Sequence, residues 1–302
     1  MKFWKKLLLG AFLLITTFII YLVLNIRSLS IEKINDDLFV IRGVGGNTTI
    51  LNTDAGTVVV DSMTFKMQGE LIRKKAEELT GKEVVLLVNT HYHLDHTHGN
   101  LGFNAGTRVS ATKRTLSHLQ ALDSNTWQGE AGLLLPNDTF TDQRRFDFGN
   151  KTVTLIHPGK GHTDGDLVVL FEEDKTLVAG DLFFHQHYPN IDLEAGGSVR
   201  QWSTTLDQVL ALDFDQAIPG HGSTSNRQGL INYQNFIIEL ANIGELILSE
   251  SLSLEETLKT DKLKADHNYQ PIAFAGIPLG LNREFVLRRT WEEYTGNFQL
   301  RN

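Results

Sequence analysis

The chain of 302 residues, 41% hydrophobic and 21% charged, has the composition of a globular protein with a sizeable core, in one large domain or two small ones. A formal net charge of -8, with no Lys/Arg stripe interleaved with aromatics, argues against a nucleic-acid surface. There is no cysteine, which removes disulfides, thiolate metal sites and a cysteine nucleophile together.

The first predicted element is the apolar run from Leu7 to Ile26, which carries no charge and is long enough to cross a hydrocarbon core of about 30 Å as a helix. Lys2, Lys5 and Lys6 precede it and only Arg27 follows closely, so the positive-inside bias keeps the N-terminus in the cytoplasm. Residues 1–28 are therefore expected to be a single-pass anchor in the cytoplasmic membrane, contacting lipid through residues 7–26, with the rest on the extracytoplasmic (periplasmic) side. The rival is a cleaved signal peptide with Ser28 and Ser30 near the cleavage point, but the apolar run exceeds the usual length of a signal's central region. Residues 29–302 are expected to form one folded domain.

After the anchor, "IEKINDDLFVIRG" and "NTTILNTDAGTVVVDS" are short β-branched runs broken at Asn35-Asp36-Asp37 and Asp54-Ala55-Gly56, the pattern of hairpins. "GELIRKKAEELTG" changes period: Leu71, Ile72, Ala76 and Leu79 share a helical face, and Gly81 stands where a C-cap is expected. "EVVLLVNTH" follows as a continuous apolar run, typical of a strand buried on both faces. "TRVSATKRTLSHLQAL" reads as strand into helix, and the segment from Phe146 to Phe184 is rich in strands with a turn at Gly149-Asn150. From residue 227 to 302 the pattern is mainly helical, with a capping box from Ser253 to Glu256 and Asn282 as N-cap of the last helix. Phe236, Ile237, Leu240, Phe285 and Trp291 are expected in its core. Hairpins, helix and strands in that order suggest two sheets with helices outside.

"NTHYHLDHTHGN", Asn89 to Asn100, sits just past the end of a buried strand, where open α/β sheets keep their ligands. Its spacing lets a tight turn direct His91 and His93 one way and Asp95 and His96 another, a fan that suits two metals. Downstream, His162 in "GKGHTDGD", Asp181 in "VAGDLFF" and His221 in "IPGHGS" each stand beside glycines that allow sharp turns into a cleft.

HxHxDH followed in order by GHT, AGD and PGHG resembles the metallo-β-lactamase superfamily, over about Ile31 to His221. The resemblance implies an α/β fold, an αββα sandwich of two mixed sheets with helices on both outer sides, here preceded by the N-terminal transmembrane helix. It puts His91, His93 and His162 on a first metal, Asp95, His96 and His221 on a second, and Asp181 between them. Imidazoles suit zinc, and a bridging carboxylate reduces the repulsion of two cations; iron and manganese are admitted by the same donors. Two divalent ions, Zn2+ first, are the expected cofactors, with Asp95 and Asp181 as the catalytic carboxylates. A water between metals about 3.5–4 Å apart is deprotonated near neutral pH, so the expected activity is hydrolysis without a side-chain nucleophile. No G-x-S-x-G is present.

The superfamily implies a reaction type more than a substrate: a small-molecule carbonyl ester, thioester, lactone or β-lactam is expected, with a phosphodiester or sulfate ester as alternative. Cysteine-bearing β-lactamases place a thiolate where Asp181 stands, which makes this chain more similar to the hydroxyacylglutathione hydrolase type, while its membrane-delivered domain also resembles secreted lactamase-like proteins. His98 replaces the glycine common after the ligands. From another class, a metal-binding scaffold without turnover would have relaxed its ligands, and all seven are present. Asp61, at the end of "TVVVDS", matches a position that in the superfamily resembles a structural acid bonding the metal loop, with a simple strand-end cap as the alternative; Thr163, Asp164 and Asp166 are candidates for orienting ligands. Tyr92, His98, His185, His187, Tyr188 and Asn190 lie beside ligands and are candidates for substrate contact.

Overall fold

A computed structural model describes residues 2–274 and 276–298; Met1, Ala275 and residues 299–302, which fall within the expected boundaries 1–28 and 29–302, lie outside them. Helix α1 (Lys2–Arg27) is apolar all round and exposed over most of its length, with Lys6–Arg27 long and apolar enough to be a candidate membrane span. Towards its C-terminal end Leu22, Asn25 and Ile26 become half-buried, as Thr16 is further up, and the helix meets the helix α2 described next.

The first sheet opens as an antiparallel meander of β1 (Ser30–Lys33), β2 (Leu38–Arg42), β3 (Thr48–Thr53) and β4 (Gly56–Val60). Helix α2 (Lys66–Thr80) then returns the chain to β5 (Val84–Val88), parallel to β4. After α3 (Leu94–Thr97) and a 3-10 turn at His98–Gly102 come β6 (Val109–Thr112), α4 (Lys113–Leu122) and β7 (Asp138–Phe140), which extend the sheet in parallel. Its order β1-β2-β3-β4-β5-β6-β7 follows the chain.

The second sheet is built from β8 (Gln143–Asp147), β9 (Thr152–Ile156), β10 (Val168–Phe171), β11 (Thr176–Phe184), β12 (Gln216–His221) and β13 (Ser225–Asn226), again in chain order. All its pairs are antiparallel except β11 and β12, which α5 (Val199–Leu210) joins by a parallel crossover. Helices α6 (Arg227–Glu250), α7 (Leu254–Leu258) and α8 (Arg283–Thr295) follow, interrupted by a small hairpin, β14 (Ala273–Phe274) and β15 (Ile277–Pro278).

The layers follow from strand alternation. In β2, Leu38 and Val40 face the second sheet and join Val169, Phe171 and Ile218 in the central core, while Phe39 and Ile41 face the other way, towards Ile72 and Ala76 of α2 and Leu119 of α4. On the far side, Val168, Leu170 and Leu177 of the second sheet pack beneath Trp202 and Leu206 of α5, Phe236 and Leu240 of α6, and Leu287 of α8. Burying each such side chain contributes about 1.5–3 kcal/mol, which is why these faces are held closed. The result is an αββα sandwich of two mixed sheets.

Two expectations need correction. Leu79 is exposed and Leu71 half-buried, because α2 covers the sheet through Ile72 and Ala76; Gly81 does cap it in the left-handed conformation, φ 69°. The mainly helical C-terminal part also contains the β14–β15 hairpin, whose two-residue strands are too short to show a period.

Candidate metal centre

The continuous apolar run of β5 ends at Val88, and the loop beyond it carries His91 and His93 before α3 presents Asp95 and His96. His162 comes from the loop between β9 and β10, Asp181 from β11 where its register with β12 shifts, and His221 from the last residue of β12. Gly180, with φ 50°, makes that irregularity possible, and its Cα abuts the Thr90 side chain so that no Cβ would fit.

All seven predicted ligands converge. The candidate ligand atoms of His91, His93, His162 and Asp181 lie within 4.8 Å of one another, as do those of Asp95, His96 and His221. Asp181 faces both groups: its Oδ2 lies 3.7 Å from His91 Nε2 and 3.5 Å from His162 Nε2, and its Oδ1 lies 3.2 Å from His96 Nε2 and 3.5 Å from His221 Nε2. Asp95 Oδ2 stands 3.2 Å from His221 Nε2.

The chemistry of these atoms fits bound cations. His91 Nε2 and Asp181 Oδ1 are buried without a hydrogen-bond partner, an arrangement that costs about 1–3 kcal/mol per group unless something else satisfies them. His162 Nε2 points at His93 Nδ1 at 2.8 Å, and His96 Nε2 at His221 Nε2 at 3.4 Å, so ring nitrogens aim into shared space. A Cβ at Gly46 would run into the His96 imidazole, and one at Gly220 into Asp181 Oδ1, so glycine keeps both walls clear. A set of imidazole nitrogens and carboxylate oxygens suits zinc, iron or manganese.

The outer nitrogens are held by partners that fix each ring. Asp61 Oδ2 accepts from His96 Nδ1 at 2.7 Å and from the Thr90 hydroxyl, while its Oδ1 accepts from the Thr90 amide. Asp61 does this from a left-handed backbone, φ 60°, which places it across the loop rather than in a simple strand-end cap. The backbone oxygen of Asn190 accepts from His162 Nδ1 at 2.7 Å. Asp192 Oδ2 lies 2.9 Å from His93 Nε2 and accepts from the Tyr92 hydroxyl. These contacts leave the inner nitrogens free to ligate.

Burial, reinforced by neighbouring imidazoles, pushes His91 well below the usual histidine range and His162 down to about 4. Burial also opposes charge on the others, but opposite charge outweighs it: Asp181 lifts His96 and brings His221 up to about 9, while His221 and His96 hold Asp181 well below the usual carboxylate range. Asp95 is likewise held low by His96 and His221 against the effect of burial.

Beside the centre lies a cavity of about 620 Å³, floored by His93, Asp95, Asp181 and His221 and walled mostly by Phe184, Ile272, Phe274, Leu279 and Leu281. Of the candidates for substrate contact, His187 and Asn190 line it. Four other candidates do not. Tyr92 turns to Asp192, His98 to Asp123 at 2.8 Å, His185 to the Ser223 backbone oxygen at 2.8 Å, and Tyr188 is buried with its hydroxyl on Asp266. Thr163 and Asp166 bond one another and shape the His162 loop, and Asp164 accepts from His118, so the His162 ring itself is oriented by Asn190. Asp192 and the apolar wall were missed; "PNIDLEAGG" offers an acid before a glycine pair, a signal too common to single out.

Residues 41–221, more than half of the chain, match the family model of the metallo-beta-lactamase superfamily. The chain belongs to the metallo-beta-lactamase superfamily. Members of this superfamily are metal-dependent hydrolases, and the chain is an enzyme of that class. It is 27% identical over 216 residues to a metallo-beta-lactamase type 2 from Bacillus cereus, covering 68% of this chain and 81% of the relative. The fold is similar to that of a metallo-beta-lactamase from Pontibacter korlensis, with a TM-score of 0.61 and 21% identity over 70% of this chain and 99% of the other. It is also similar to that of the sec-alkylsulfatase Pisa1 from Pseudomonas sp., with a TM-score of 0.69 and 17% identity over 90% of this chain and 51% of the other. The superfamily's sandwich thus extends here to a convergent His/Asp cluster at one end of its two sheets.

Proposed function

We infer that the protein is a membrane-anchored hydrolase whose centre takes two divalent cations, zinc first. His91, His93 and His162 would hold one, Asp95, His96 and His221 the other, with Asp181 shared between them. The observation that carries this reading is the Asp181 carboxylate, which turns one oxygen to each group of imidazoles. α1 would fix the enzyme in the cytoplasmic membrane with its folded domain on the extracytoplasmic side.

When bound, such ions polarise the scissile carbonyl and lower the pKa of water to near neutrality. The chain's own residues do the rest. Asp95, 28% exposed and on the cavity floor, accepts a hydrogen bond from the attacking water and so aims it at the substrate. Asp181, held anionic by the imidazoles around it, balances positive charge that would otherwise accumulate between the two groups. Asn190 and His187 place polar groups at the edge of the reacting bond, and the apolar wall keeps bulk water from the rest of the substrate.

The substrate class is a small-molecule carbonyl ester, thioester, lactone or β-lactam. A sulfate ester is the second reading, favoured because the likeness to the alkylsulfatase reaches 90% of this chain, against 70% for the lactamase. A scaffold without turnover is opposed by the full set of seven donors. The test is the purified, zinc-loaded protein offered a thioester, a lactone, a cephalosporin, a phosphodiester and an alkyl sulfate, with and without chelator. Chelator-sensitive turnover of one class, two metal equivalents per chain, and loss of both activity and metal in Asp181→Ala with unchanged circular dichroism are expected. One equivalent in the active protein would overturn the shared-carboxylate reading, and silence on all five substrates would favour the scaffold.

A further inference from the structure

The cavity beside the centre has a mixed lining that is apolar over most of its surface. Its polar groups are those of the His/Asp cluster together with Arg42, Asn47 and Thr64, and Phe184, Ile272, Phe274 and Leu281 supply much of the apolar remainder. Its mouth is also apolar on the outside. Leu94 is 51% exposed, Ile277 59% and Leu279 56%, and all three stand at the cavity or on the β14–β15 hairpin that borders it. A ring of exposed large aliphatic groups around an opening is unfavourable in water and marks a surface meant for an apolar partner.

The helix α1 says what that partner is. It ends at Arg27, and two residues later Leu29 packs so closely on Gly43 that a Cβ there would meet Leu29 Cδ2. Gly43 is itself part of the cavity lining. The hairpin is tied to the same side of the molecule, since the Phe274 ring packs edge-on against Phe65 at 6.3 Å, at the start of the helix that the end of α1 touches. The opening, its apolar rim and the exit of the membrane helix therefore share one edge of the domain.

We propose that the substrate is a single-chain amphiphile drawn from the membrane in which α1 sits: its ester group lies at the His/Asp cluster and its hydrocarbon tail fills the cavity under the β14–β15 hairpin. This rests on the reading of the protein as an anchored hydrolase. It narrows that reading to substrates whose reacting group is polar and whose remainder is apolar, because the cavity walls offer a tail much to bury and few polar groups to bond.

The test uses the full chain in phosphatidylcholine nanodiscs containing a low fraction of palmitic acid with a diazirine in its acyl chain, irradiated and mapped by peptide mass spectrometry. Adducts on the cavity wall, at Phe184 and Ile272, are expected alongside those on α1. Phe274→Asp and Leu279→Asp, both in the exposed hairpin segment, should each cut the wall adducts at least fivefold and leave the α1 adducts unchanged. Adducts confined to α1, or to the outer residue Ile277 with none on the wall, would overturn the proposal, as would wall labelling indifferent to both substitutions. Chelator-sensitive turnover of 4-nitrophenyl esters is measured on the same nanodiscs, and kcat/KM is expected to be at least tenfold higher for the dodecanoate than for the acetate. A higher kcat/KM for the acetate would overturn the proposal. No turnover with wall adducts present would count against the hydrolase reading alone and leave the tail site standing.

Discussion

His93 uses its Nδ1 towards the centre and gives its Nε2 to Asp192, whose other oxygen accepts from the Glu194 and Ala195 amides at 3.1 Å. A carboxylate pinned in this way fixes the ring plane of its partner, and loss of such a partner typically costs ten- to a hundredfold in metal affinity, about the range seen for outer-shell partners. Asp192→Ala should therefore bind zinc about 10–100-fold more weakly than the parent in chelator competition, whereas Tyr92→Phe, which removes one donor and leaves the carboxylate in place, should bind nearly as the parent does. Equal affinities in parent and Asp192→Ala would remove its orienting role. Protons set a second expectation. Imidazoles ligate only when neutral, yet His221 keeps its proton up to about 9, and Asp181 and Asp61 raise His96 well above the usual histidine range against the effect of burial. At neutral pH metal must displace those protons, so affinity should rise with pH through about 9, where His221 gives up its proton in the metal-free protein. Calorimetric titrations with zinc in two buffers of different ionisation enthalpy should differ in apparent heat by the protons released; identical heats would mean the rings were neutral beforehand. That these seven side chains would converge was legible in sequence because ligation demands particular residue types and sharp glycine turns. Asp192 was not, since an ordinary aspartate becomes important only through contact with a residue 99 positions away.

Among the elements, the link between α8 and α5 shows how the helical layer supports the centre. Glu293 of α8 accepts from the Ser198 hydroxyl at 2.6 Å and from the Val199 amide at 2.8 Å, placing a carboxylate at the N-terminus of α5. Directly before it, the Gly197 amide donates to Asp192 and the Ser198 amide to Gly161, so the same junction holds the loops of His93 and His162 in place. Two hydrogen bonds to one charged group predict that Glu293→Ala lowers stability by about 1.5–3 kcal/mol. A lower urea midpoint at unchanged slope would show it, and an unchanged midpoint would mean that solvent replaces the carboxylate without loss. Strands such as β2 and β5 and helices such as α6 were legible because their faces repeat over many residues. The β14–β15 hairpin was not, because a wall of two-residue strands is defined by what it covers and carries no period of its own.

At the scale of the whole molecule, the sandwich places the His/Asp cluster at one end, and α1 presents a largely exposed apolar surface. Such a helix has three possible fates: burial in the protein, removal, or burial in lipid. The first is excluded over Leu7 to Leu14, where the side chains are exposed among the described residues. Removal at Ser28 or Ser30 would cut within two residues of Leu29, whose packing on Gly43 ties the start of the domain to the cavity rim. Retention keeps that contact and gives the apolar surface a solvent in which it is stable. Full-length protein is thus expected in the membrane pellet after an alkaline carbonate wash. Its folded domain should be digested when protease is added to spheroplasts, because the lysines before α1 keep the short N-terminus inside. A shortened form in the soluble fraction would mean that α1 is a cleaved leader, and protection from protease in intact spheroplasts would reverse the orientation. Cleavage would take from the cavity's apolar mouth the bilayer from which its tail-bearing substrate is drawn, whereas reversal would set that mouth against the cytoplasmic leaflet, so the fate of this one helix bears directly on which substrate reaches the His/Asp cluster.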